Sequence, residues 1–292
     1  MKNSEIPEAL FLQAVQALDS GNMAVLKQLL ESHPLLATGR LDTPGDKGYF
    51  KDPYLLWFVA DNPIRHEKLP PNIVEEAGVI IDAMKKAGSD RYPFILGYAL
   101  GLVSTGRIPR ECQAQIPLME LLIKEGANPR GSVLGAIGQH NFEAAIFLLD
   151  KGADYNLAAA VGLRRNDDVK KLIKESTAAD RYVALVVASF FGSAGLISSL
   201  LEAGADPNGK VNPDDFGGFH GHASPMHQAV SSGSLEAVAI LSRAGARRDA
   251  RDSIHQATPE EWAHYFLVEE ATTAEQKKNF AEIESFLRDD EA

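Results

Sequence analysis

Three histidines, His220, His222 and His227, follow Asp214 and Asp215 in the stretch "DDFGGFHGHASPMH". Imidazoles and a carboxylate are what a tetrahedral zinc ion takes, so this loop is the one candidate metal set in the chain. Its glycines do not make a phosphate cradle, because the following lysine and the strand-to-helix context are missing. The sequence contains no G-x-x-x-x-G-K-[ST], G-x-S-x-G, H-E-x-x-H or C-x-x-C, and "RHEKL" at 65–69 has no second histidine. No catalytic residue and no cofactor are therefore expected.

Aromatic residues are the other side chains with binding chemistry. The same loop carries Phe216 and Phe219 beside His220 and His222, Phe190-Phe191 stand just before Gly192, and Tyr265-Phe266 stand further on. A second segment, "TGRLDTPGDKGYFKDPY" at 38–54, carries Tyr49, Phe50 and Tyr54 and leads into Trp57. Rings grouped on a surface would supply the anchors of a protein interface. The alternative is packing, with Phe216 and Phe219 folded back over adjacent helices and Phe190-Phe191 in the core.

Helix pairs must position these residues. In "HASPMHQAVSSGSLEAVAILSRAGAR" (222–247), Ala229, Val230, Leu235, Val238, Ile240 and Leu241 recur at helical spacing, Gly233 interrupts them and Gly245 ends them. That pattern predicts two short helices. The phrase recurs upstream. Ala188, Gly192, Ile197, Leu200, Gly204 and Ala205 take the offsets of Ala229, Gly233, Val238, Leu241, Gly245 and Ala246. Ala136, Ala160 and Ala17 open further copies, with His140, Arg164 and Gly21 at the turn. The steps from Ala136 to Ala160 to Ala188 are too short for a hairpin, and the excess between Ala188 and Ala229 must form a loop, "ADPNGKVNPDDFGGFHGHASP" at 205–225. Per-repeat insertions project from one face, often the binding face, so this finger and the 38–54 finger are expected to make contacts and to add little core.

Ser224-Pro225-Met226-His227-Gln228-Ala229 resembles the T-P-L-H-x-A opening of the ankyrin repeat, and Gly245-Ala246 resembles its closing turn. The chain is also similar to a group of divergent bacterial ankyrin proteins with uneven repeats, through "LGYALGLVSTGRIPRECQAQIPLMELLIKEGANP" and "ATPEEWA". The resemblance implies an all-α ankyrin-repeat solenoid of about eight stacked helix pairs, with irregular repeat lengths and long finger loops. It would form one domain over 1–292: an N-terminal cap repeat at 7–37, divergent repeats at 38–118, clear repeats at 119–266 and a capping helix at 267–292. It further implies that His227 bonds the neighbouring backbone, which makes it a poor metal ligand, and that the residues before Gly192 border the concave surface.

The 292 residues, 45% of them hydrophobic, suffice for a long continuous core. The formal charge of −11 disfavours nucleic acid. It either keeps a long repeat surface in solution or complements a basic protein partner; both readings stay open. One cysteine, Cys112, leaves no internal disulfide framework and is compatible with a reducing cytosol. The start "MKNSEIPEALFLQAVQAL" has no secretory core, and the uncharged run at 182–201 is broken by Gly192 and Gly195, so a cytoplasmic protein without a membrane span is expected.

The function these readings imply is non-enzymatic recognition of a protein partner by the concave face and fingers, with a monomer as the expected state. Its contact residues would be Phe190, Phe191, Phe216, Phe219, His220, His222, Tyr265, Phe266 and Trp57. Two alternatives remain at this point. One is a bacterial inhibitor that neutralises a toxin or enzyme; the other is a metal-dependent protein built on the 214–227 loop.

Overall fold

A computed structural model describes residues 6–43, 48–210 and 218–289, and the described residues form helices joined by turns and loops. A single antiparallel bridge, Arg40 with Tyr54, closes the base of the 38–54 segment. Contacts cluster into two units, Met1–Ala153 and Asp154–Ala292.

In the first unit, α1 (Glu8–Asp19) pairs with α2 (Met23–Ser32), and the short α3 (Leu35–Thr38) follows. A 3-10 segment, Leu55–Ala60, pairs with α4 (Ile73–Ala87). Then α5 (Tyr92–Thr105) pairs with α7 (Gln115–Lys124) across the insert α6 (Arg107–Glu111), and α8 (Val133–Gly138) pairs with α9 (Phe142–Asp150). First members stack in the order α1, 3-10 segment, α5, α8, and second members in the order α2, α4, α7, α9.

The second unit repeats the plan. It pairs α10 (Leu157–Gly162) with α11 (Asn166–Glu175), α12 (Ala178–Phe190) with α13 (Ala194–Glu202), α14 (Pro225–Ser231) with α15 (Leu235–Arg243), and α16 (Pro259–Tyr265) with α17 (Ala274–Arg288). A single π turn, Phe266–Glu270, separates the last two. The described residues thus hold eight helix pairs, counting the 3-10 segment, the number the resemblance implies.

The repeat register has a hydrogen-bond basis. Ala17, Ala136, Ala160 and Ala188 are buried, and the carbonyl of each accepts a bond from the backbone N–H five residues on, those of Asn22, Asn141, Arg165 and Ser193, at 2.8–2.9 Å. That bond needs a left-handed residue between: Gly21 (φ 69°), His140 (56°), Arg164 (55°) and Gly192 (58°) supply it. Second helices end the same way. Gly126, Gly152, Gly204 and Gly245 have φ of 82–107°, and the buried Ala127, Ala153, Ala205 and Ala246 that follow donate back to Leu122, Leu148, Leu200 and Leu241. An isolated pair of this size buries too little apolar surface to offset its ordering entropy, so it needs stacked neighbours.

Helix starts are equally local. Pro225 and Pro259 occupy first-turn positions whose missing N–H has no partner to lose. Thr177, Ser224, Thr258 and Thr273 close reciprocal capping boxes with Asp180, His227, Glu261 and Gln276. The uncharged run at 182–201 divides at Gly192 between α12 and α13, and among the described residues no helix is long and apolar enough to cross a membrane.

Candidate interaction surface

His227 is the hinge of this site. It is fully buried; its Nδ1 lies 2.8 Å from Ser224 Oγ and 3.3 Å from the Ser224 N–H, and its Nε2 lies 3.1 Å from the carbonyl of Ala257 in the next repeat. Both ring nitrogens are thus engaged in tying α14 to the loop before α16. Asp214, Asp215 and Phe216 fall outside the described residues, and among the described residues no group of three or more His, Cys, Asp or Glu is placed to hold a metal.

Asp252 organises the receiving loop. It is buried; its carboxylate accepts the backbone N–H groups of Ile254, His255 and Ala257 and the indole N–H of Trp262 at 3.1 Å. Burial alone would raise its pKa, but the bonds from His255, Trp262, Ala257 and Ile254 outweigh it and bring the carboxyl down to about 2. Neither Asp252 nor Trp262 stood out in the sequence, although an aspartate in a turn commonly accepts from the backbone two residues on, as Asp252 does from Ile254.

Around Trp262 the aromatic candidates meet. Phe190 contacts Phe191 at 5.2 Å, Phe219 at 5.1 Å and His220 at 6.0 Å between ring centroids. His220 and His222 are 5.7 Å apart and reach Trp262 at 5.3 and 5.7 Å, while His255 lies 5.8 Å from His222. Trp262 continues to Phe266 at 6.2 Å, and Phe266 to Tyr265 at 5.8 Å and Phe280 at 5.3 Å. The result is one strip of touching rings across three successive repeats.

Its members divide by depth. Trp262, His227 and Phe219 are buried, with Phe219 9% exposed, whereas Phe190, Phe191, His220, His222 and Phe266 are half-buried and Tyr265 is 52% exposed. Desolvation lowers the pKa of His220, His222 and His227; the neighbouring imidazole charges add to this for all three, and Asp252 opposes it at His222 and His227. At neutral pH the strip is therefore aromatic and uncharged.

The finger departs from its expected role. Phe219 folds back on Phe190 and Phe191, the His220 carbonyl accepts from Gln228 Nε2 at 2.8 Å, and Ser253 N–H donates to the His222 carbonyl at 2.9 Å. Residues 219–222 are thus part of the packing between repeats, and replacing 209–221 by a short turn would cost stability. Trp57 departs likewise. It is 4% exposed, stacks on Tyr98 at 4.1 Å and donates its indole N–H to the Ile95 carbonyl, so it is an interior residue of the first unit that supports the exposed Phe94.

No family model matches the chain, and no curated protein does. Among solved structures, the chain is similar to the human ASB11 ankyrin repeat domain at 16% identity, with 70% of this chain and 92% of that one covered and a TM-score of 0.34. It is also similar to the ankyrin repeat domain of Bcl-3, a member of the IkappaB protein family, at 16% identity, with 96% and 100% covered and a TM-score of 0.31. The chain's own helix pairing, Ser-Pro-x-His capping and Gly-Ala closing turns are those of a stacked array of helix pairs.

Proposed function

We propose that the protein is a non-enzymatic interaction module that binds a protein partner through the aromatic–imidazole strip of its second unit. The observation that carries this is the unbroken ring contact from Phe190 to Phe266, in which half-buried and exposed rings touch the buried Trp262, His227 and Phe219. Rings anchored from below lose little freedom on binding, which is the property of interface hot spots. Phe190, Phe191, His220, His222, Tyr265 and Phe266 are the proposed contacts, with Phe219 as their support. Glu269 and Glu270 stand exposed beside Tyr265, so the partner surface over that end is basic.

Affinity isolation from the native host with wild-type protein, followed by direct titration of the recovered partner, tests this. Tyr265→Ala, at a side chain that contributes little core, is expected to weaken that partner by about 1–2 kcal/mol with the denaturant midpoint unchanged. Unchanged affinity in both Tyr265→Ala and His222→Ala, with the fold intact, would place recognition elsewhere.

A further inference from the structure

In the second unit α13, α15 and α17 pack side by side, but α11 and α13 leave between them an open groove of about 990 Å³. The path of α11 explains it. Only Ser176 and Thr177 separate α11 from α12, the Thr177–Asp180 capping box fixes that corner, and Arg181 Nη1 donates to the Ser176 carbonyl at 2.6 Å. So held, α11 buries Val169 alone.

The groove has a consistent chemistry. Val169, Ile173, Phe191 and Leu196 make an apolar floor, and the exposed Gly195 and Ser199 of α13 and its C-cap Ala203, four residues apart, make a wall without bulk. Along the rim stand Arg164, Lys170 and Lys174, all exposed, against one carboxylate, Glu202. In a chain of net charge −11 this is a local cationic edge; Lys170 also meets the solvent-exposed Asp167 at 3.4 Å, an exposed pair that costs little to exchange, and Asp167, Asp168 and Glu175 of the same helix do not line the groove.

We propose that this groove is a second docking site and that its occupant is a short, acidic, amphipathic helix of a partner protein. A wall of small residues lets a helix approach to the 8–10 Å axis separation of packed helices, and the apolar floor receives its side chains at i, i+3, i+4 and i+7. The nine residues of α13 offer a track of roughly 13 Å, about two and a half helical turns. Carboxylates flanking the apolar stripe meet Arg164, Lys170 and Lys174. The groove shares Phe191 with the aromatic–imidazole strip, but its α11–α13 walls and cationic rim do not belong to the strip, and the proposal does not rest on it.

Fluorescence anisotropy tests it with two synthetic helical peptides. One carries leucines at i, i+3, i+4 and i+7 with glutamates elsewhere; the other has lysine for every glutamate. Wild-type protein should bind the glutamate peptide at least about tenfold more tightly than the lysine peptide, and less tightly as salt is raised. Lys170→Glu with Lys174→Glu should reverse that order with the denaturant midpoint unchanged, and Ser199→Trp should abolish binding of both peptides by filling the groove. Tyr265→Ala, which disables the strip, should leave the preference intact. The proposal is overturned if wild type shows no preference for the glutamate peptide, or if the double variant keeps the wild-type order. It is overturned too, in favour of a second copy of the chain, if sedimentation shows a dimer that the double variant dissolves.

Discussion

Gly192 and Gly233 hold the same turn position in successive repeats, at φ 58° and 70°, yet their surroundings differ. A Cβ on Gly233 would touch only Phe280, at 3.6 Å, whereas a Cβ on Gly192 would meet Ser232 Oγ at 2.8 Å and Ser234 Cβ at 2.9 Å. Gly233→Ala is therefore expected to cost the left-handed strain of about 1–2 kcal/mol, and Gly192→Ala about 1 kcal/mol or more beyond that from overpacking. Denaturant midpoints of the two variants check the order; equal losses would mean that Ser232 and Ser234 give way freely. The sequence makes these positions legible because glycine advertises a left-handed turn. His140 and Arg164 adopt the same φ and are legible only through the register of Ala136 and Ala160, four residues before them.

At the scale of elements, the pairs around Ala17, Ala136, Ala160, Ala188 and Ala229 follow from apolar spacing and turn residues, whereas those between 38 and 118, with a 3-10 segment as one member and the insert α6, do not show that register. The finger at 205–225 shows where that reading ends. Its Gly, Asn, Asp and Pro announce a loop, but nothing local records that Phe219 packs on Phe190 and Phe191, which lie 28 and more residues earlier in the chain. Trp57 is similar: an aromatic beside a loop segment reads as a surface anchor, and its burial depends on Tyr54, Phe94 and Tyr98 from other elements. The groove was illegible for a different reason. The stripe of α11 is ordinary, and only the corner at Ser176-Thr177 sets how far that helix stands from α13.

Across the whole molecule, buried ionisable groups give the two units opposite responses to pH. Glu76 of α4 is fully buried, neither carboxyl oxygen has a hydrogen-bond partner, and burial, with the charges of Asp19 and Glu75 adding to it, pushes its pKa up to about 7. The folded first unit therefore holds a proton that the unfolded chain gives up near pH 4.5, and its stability declines as pH rises from there to 7, by up to about 3 kcal/mol. His220, His222 and His227 have lowered pKa values, so the second unit keeps their contribution above pH 6.5 and loses it as pH falls below. The two tryptophans make this measurable, because Trp57 belongs to one unit and Trp262 to the other. In Trp262→Phe, the Trp57 emission should report a midpoint higher at pH 5 than at pH 8; in Trp57→Phe, Trp262 should report the reverse. Glu76→Leu should flatten the first response only.

Because α11 contributes only Val169 to the buried interior, the stack of repeats around it has a seam. In a repeat array, where each pair is stabilised by its own helices and by its immediate neighbours, openings start at the weakest contact and need not spread. Backbone amides of α11 should therefore exchange with solvent deuterium earlier than those of α13 and α15, while α10, the buried helix it pairs with, stays protected. Pulse-labelling mass spectrometry would show whether α11 breathes alone, and slower exchange in α11 with the glutamate peptide bound would mean that occupancy closes the seam.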